Sequence, residues 1–178
     1  MKKEYILLIV ILIFTFIHTK AQTTDTLPDN RGYLVKTGDM APDFSIEFPE
    51  GRPSIKLSEL KGNVVMLQFT ASWCSVCIQE MPHIEKEIWK IFKDKGLKLY
   101  GIDRKENKET VIKFAKKMKI SYPLILDESG KIFELYAHPN AGVTRNILID
   151  KSGKIVFLTR LFDENEFNAL KAKINELL

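Results

Sequence analysis

Blocks of apolar and polar positions change period along the chain, and each change marks an element. Phe44-Ser45-Ile46-Glu47-Phe48 and Ser54-Ile55-Lys56-Leu57 alternate with a period of two around the turn residues Pro49-Glu50-Gly51-Arg52-Pro53, which predicts a β-hairpin. Val64 to Phe69 is a nearly unbroken apolar run rich in β-branched and aromatic residues, the pattern of a central strand covered on both faces. Ile78, Met81, Ile84, Ile88, Ile91 and Phe92 then recur at helical spacing up to Lys95-Gly96, so a helix begins at or near Cys74, with Pro82 inside it to kink it. Leu97 to Ile102 reads as strand, Lys108 to Met118 as helix, Leu124 to Leu126 as strand and Lys131 to Tyr136 as a short helix. Asn146 to Ile149 and Lys154 to Thr159 form a closing hairpin around Asp150-Lys151-Ser152-Gly153, and Glu164 to Leu178 is amphipathic. This order predicts an α/β three-layer sandwich, a central mixed β-sheet flanked by helices, with an N-terminal β-hairpin extension.

The N-terminus follows another logic. Lys2 and Lys3 precede a 13-residue apolar run from Tyr5 to Ile17, and Thr19-Lys20-Ala21 follows as a small-residue cleavage site. Residues 1–21 therefore read as a secretory signal, too short to span a bilayer comfortably; membrane contact is expected only if it stays uncleaved. Polar residues 22–38 read as a linker, leaving 39–178 as one domain.

Removing Lys2, Lys3, Lys20 and Glu4 from 27 basic and 23 acidic residues leaves a charge of +2, which argues against a nucleic-acid partner. Lys113, Lys116, Lys117 and Lys119 are expected on a solvated helix face. The 2 cysteines of the chain are Cys74 and Cys77, so none is left to staple distant segments, as exported proteins usually do.

Disulfide exchange needs a thiolate that attacks and a second thiol that resolves the mixed disulfide, and two cysteines on a helix's first turn meet that need. Unpaired N–H groups and the dipole favour the thiolate at Cys74, the expected nucleophile, while Cys77 one turn later is tucked inward as resolver. Half of a structural zinc site is the competing reading, but in the mature chain the only further histidines are His83 and His138. Both are expected to be structural or surface residues.

The segment Phe69-Thr70-Ala71-Ser72-Trp73-Cys74-Ser75-Val76-Cys77-Ile78-Gln79-Glu80-Met81-Pro82 resembles the active-site segment of thioredoxin-like envelope oxidoreductases of the TlpA and ResA kind, within the redoxin or AhpC/TSA superfamily. The resemblance extends from Gly38-Asp39-Met40-Ala41-Pro42-Asp43-Phe44, through Leu57-Ser58-Glu59-Leu60-Lys61-Gly62, to Asn146-Ile147-Leu148-Ile149-Asp150-Lys151-Ser152-Gly153-Lys154-Ile155. It implies a thioredoxin-like fold and a redox-active Cys74–Cys77 disulfide with no bound organic cofactor. It also implies a partly buried Glu80 that tunes the sulfurs' protonation and a Trp73 packed beside them. A carboxylate close to a developing thiolate disfavours it, so Glu80 should oppose the helix dipole. Ser75 and Val76 carry no positive charge, which favours a reductant. The expected protein is a monomeric, exported enzyme of a bacterial envelope or periplasm that reduces disulfides of other envelope proteins and takes electrons from a thiol donor.

Two positions depart from the family pattern. Thioredoxin-like proteins place a cis-proline opposite the cysteines, where this chain has Val143-Thr144-Arg145. Because a non-proline cis bond costs about 3 to 4 kcal/mol, the Val143–Thr144 bond is expected to be trans or strained. Val143, Thr144 and Arg145 are then expected to line an altered substrate site. The second departure, Thr70 in place of an aromatic residue, raises a peroxiredoxin-like peroxidase with antioxidant function as an alternative, although such enzymes carry threonine three residues before the reactive cysteine, where Ala71 stands. A non-catalytic module binding a metal or a haem-maturation client is the third reading.

Overall fold

The computed structural model describes residues 31–178. The signal read at 1–21 and most of the stretch read as linker lie outside the described residues. The remainder of that stretch is docked: Tyr33 bridges Ala137, the Leu34 N–H donates to the Tyr136 carbonyl at 2.9 Å, and the Gly38 N–H donates to Ile155 at 2.8 Å.

A short antiparallel hairpin, β1 (Ser45–Ile46) and β2 (Ile55–Lys56), precedes the main sheet. The sheet comprises β3 (Val65–Thr70), β4 (Lys98–Arg104), β5 (Leu124–Asp127), β6 (Arg145–Ile149) and β7 (Ile155–Arg160), in the order β5-β4-β3-β6-β7. β3, β4 and β5 run parallel, while β6 and β7 are antiparallel. The apolar run predicted to be central is central, buried at every position.

Alternation along β3 supplies the two halves of the core. Val65, Leu67 and Phe69 pack with Phe133 and Tyr136 of α3 (Lys131–Tyr136). Met66 faces Met81, Ile84, Val111, Phe114, Phe167 and Leu170 from α1 (Ser75–His83) and its continuation, α2 (Lys108–Met118) and α4 (Glu164–Leu177). Asn107 caps α2 by accepting from the Thr110 N–H, and Asp163 caps α4 by accepting from Glu166, which sets where these helices start. The predicted disturbance at Pro82 takes a specific form: the helix rewinds into a wider π turn over Ile84–Trp89. Pro82 has no N–H to give the preceding turn, so the carbonyls there must be satisfied in another register.

Candidate active site

β3 delivers the chain to the sheet's C-terminal edge, where Thr70 to Trp73 turn into α1. The Cys74 N–H donates to Ala71 at 3.1 Å, and Cys74 becomes the N-cap of α1, its Sγ accepting from the Cys77 N–H at 3.2 Å. Cys74 and Cys77 are disulfide-bonded, with Cα atoms 5.3 Å apart. Cys74 is 8% exposed and Cys77 fully buried, so only the outer sulfur can meet a large partner. Sγ of Cys77 lies 4.0 Å from the Phe69 carbonyl, at the limit for a hydrogen bond once the disulfide is reduced to thiols.

Glu80 stands three residues after Cys77 on the same helix and is 1% exposed. Asn146 Nδ2 donates to one carboxylate oxygen at 2.6 Å and Gln68 Nε2 to the other at 3.2 Å. Burial outweighs both bonds and pushes Glu80 up from 4.5 to about 7. The acid sits on a polar row that crosses the sheet. Gln68 and Asn146 are register partners on β3 and β6, and Asn146 faces Thr159 on β7, whose hydroxyl accepts from Asn146 Nδ2 at 2.9 Å. At the other end the Tyr122 hydroxyl donates to Gln68 Oε1 at 2.7 Å. Gly101, beside Gln68 on β4, makes room: a Cβ there would come within 2.3 Å of Leu124 and 3.3 Å of the Tyr122 ring.

The opposite wall is Thr144. Its hydroxyl lies 3.2 Å from Cys74 Sγ and 3.3 Å from Cys77 Sγ, and the described residues contain no cis peptide bond, so Val143–Thr144 is trans. The Thr144 carbonyl accepts from the Leu161 N–H and an Arg160 guanidinium N–H, both at 3.2 Å.

Arg145, expected to line the site, instead points away from it. Strand alternation sends Thr144 and Asn146 to one face and Arg145 to the other, where it is fully buried. There it donates to the carbonyls of Gly142 and Arg31 and lies over the Tyr33 ring at 4.4 Å. Val143 is buried in the core around Phe69 and Phe133. Trp73, expected to pack beside the sulfurs, is 63% exposed. His83 pairs with Glu87 and stacks on Phe162, and His138 accepts from the Asn140 N–H.

A second acid group buttresses the active-site turn. Glu106 accepts from the Ser72 N–H at 2.6 Å and the Ser72 hydroxyl at 2.5 Å. Beside it Asp103, buried at the end of β4, is pushed up to about 9 by burial and by the neighbouring Glu106. The sequence carried no sign of this pair, nor of the Tyr122–Gln68–Asn146 row, beyond single polar residues interrupting apolar strands.

The AhpC/TSA family model matches residues 37–158. The thiol–disulfide oxidoreductase ResA of Bacillus cereus is 34% identical over 122 residues, 68% of this chain and 68% of that protein. A solution structure from Bacteroides thetaiotaomicron, of a candidate protein disulfide isomerase, is 55% identical with a TM-score of 0.79, covering 83% of this chain and 92% of that one. The thioredoxin domain of a Bacteroides vulgatus thiol–disulfide oxidoreductase is 27% identical with a TM-score of 0.67, covering 79% and 99%. Fold, cysteine pair and relatives together define a thioredoxin-like thiol–disulfide oxidoreductase. More particularly, the chain belongs to the AhpC/TSA family, and its similarity within that family is to oxidoreductases of the ResA type.

Proposed function

We propose that this oxidoreductase acts outside the cytoplasm as a reductant, transferring two electrons from the Cys74/Cys77 dithiol to disulfides of envelope proteins and regaining them from a thiol donor. The observation that carries this reading is the buried Glu80 on the cysteine helix, held near neutrality by its surroundings. A carboxyl half-protonated near pH 7 penalises thiolate in its vicinity when ionised, which disfavours the reduced pair and makes it a better electron donor. The same acid can accept the proton that Cys77 must lose when it resolves the mixed disulfide.

Cys74 thiolate attacks a client disulfide, one S–S bond forms and one breaks, and a client thiolate leaves. Cys77 then attacks Cys74 Sγ, closing the Cys74–Cys77 disulfide and releasing the second client thiol. The positive end of α1 and the Cys77 N–H stabilise the attacking sulfur. Working as a monomer and without a bound organic cofactor belongs to the same proposal.

Peroxide reduction finds less support. Ala71 stands where such enzymes carry threonine, three residues before Cys74, and Thr70 turns its hydroxyl to Met81 Sδ at 3.5 Å. Mixing the reduced protein with a disulfide-bonded substrate such as insulin tests the proposal. Stoichiometric loss of both thiols with appearance of substrate thiols is expected; rapid consumption of hydrogen peroxide with no disulfide reduction would overturn it.

A further inference from the structure

From the position of one hydroxyl equidistant from both sulfurs, we infer that Thr144 is a catalytic hydrogen-bond donor that follows the negative charge between Cys74 and Cys77 through both halves of the exchange. The inference rests on dithiol exchange at this pair and extends it to the residue that replaces the family's proline.

The geometry is constrained on three sides. The Thr144 side chain is buried, and Oγ1 lies 3.2 Å from one sulfur and 3.3 Å from the other. The backbone behind it is fixed by two donors to its carbonyl, from Leu161 and Arg160. Threonine also has a stiff side chain, so the hydroxyl stays in place while its proton rotates. A hydroxyl is a useful donor only to a sulfur that can accept, and the better acceptor is whichever sulfur is thiolate.

That acceptor changes during the reaction. In the reduced enzyme the charge belongs on Cys74, which then has two donors, the Cys77 N–H and the Thr144 hydroxyl. After attack, Cys74 is bonded to the client and the nucleophile is Cys77, whose own surroundings offer an acceptor, the Phe69 carbonyl. Thr144 is then the group positioned to stabilise the Cys77 thiolate. A proline at this position could assist neither sulfur, since its ring has no donor. Thr144 thus opposes Glu80: the acid disfavours thiolate at the pair, and the hydroxyl restores enough of it for attack near neutral pH.

Two variants separate the hydroxyl from the shape of the side chain. Thr144→Val keeps the branched volume and removes the donor; Thr144→Ser keeps the donor. Both are made in the full chain, and retention of fold is checked by circular dichroism. Cys74 ionisation is read from the pH profile of iodoacetamide alkylation of the reduced protein. Resolution is read separately, as the rate at which thionitrobenzoate is expelled from a mixed disulfide preformed on Cys74. Thr144→Val is expected to lower the thiolate fraction at a pH below the thiol's pKa by about tenfold, the size of a hydrogen bond to a charged group. It is also expected to slow expulsion several-fold, while Thr144→Ser stays close to wild type in both readings. Unchanged profiles in a folded Thr144→Val protein, or equal changes in Val and Ser variants, overturn the inference. Failure of the wild-type protein to exchange with dithiothreitol at all would instead sink the underlying dithiol chemistry.

Discussion

Replacing Glu80 with glutamine tests the electrostatics of the site through folding stability, independently of any client. The carboxyl moves from 4.5 in the unfolded chain to about 7 in the folded one, with burial as the dominant cause. Because the folded pKa is raised, the stabilising effect of the neutral acid is complete below about pH 4 and is lost as pH rises through about 7. At about 1.4 kcal/mol per pKa unit, ionised Glu80 costs the folded state about 3 kcal/mol at pH 8. Glutamine keeps the shape without the charge. It also needs an acceptor for its amide, and Asn146 has one to give, because its buried Oδ1 is without a partner and a flip of the amide presents it. The assay is urea denaturation of the oxidised protein and of Glu80→Gln at about pH 4 and pH 8. The variant should gain about 3 kcal/mol relative to wild type between the two, since every other group titrates in both proteins. A stability difference that is the same at both pH values would show that Glu80 ionises as an ordinary surface acid, and the proton-handling role built on it would fall.

Other outcomes follow from the same geometry. Ser72→Ala removes one of two bonds to Glu106 and should cost about 1 kcal/mol in chemical denaturation, with slower exchange because the turn before Cys74 loosens. Asp103→Asn should match wild type in acid and become the more stable protein as pH rises from about 4 through about 9, since the raised carboxyl must ionise in a buried site; a constant difference across that range contradicts the assignment. Phe133→Ala removes the ring that meets Phe69 edge-on at 5.5 Å and lies under the Arg104 guanidinium at 3.9 Å, and should cost about 3 to 5 kcal/mol in thermal or urea unfolding.

Much of this architecture was legible in the chain because it is written in local periods. The helices Lys108–Met118 and Lys131–Tyr136 occupy the residues predicted for them, and the strands of the main sheet shift by one or two positions. The cysteine pair was equally legible, since spacing and helix start lie within a few residues of each other. Legibility ended where pairing between strands decides the outcome. Gln68 looked like one polar residue in an apolar run, and only its register with Asn146 shows that two amides converge on Glu80. Thr144 stood out as a missing proline, but its contact with both sulfurs joins residues about seventy positions apart. Arg145 was misplaced because a charged residue beside the site suggests a groove, whereas the pleat turns it under Tyr33.

The reduction potential of the Cys74–Cys77 pair, measured by equilibration with glutathione or dithiothreitol buffers at pH 7, bears most directly on the account. The buried acid beside uncharged Ser75 and Val76 predicts a potential near that of thioredoxin, about −270 mV. A value near −120 mV would mean that the thiolate is strongly favoured in spite of Glu80, and would make the protein an oxidant.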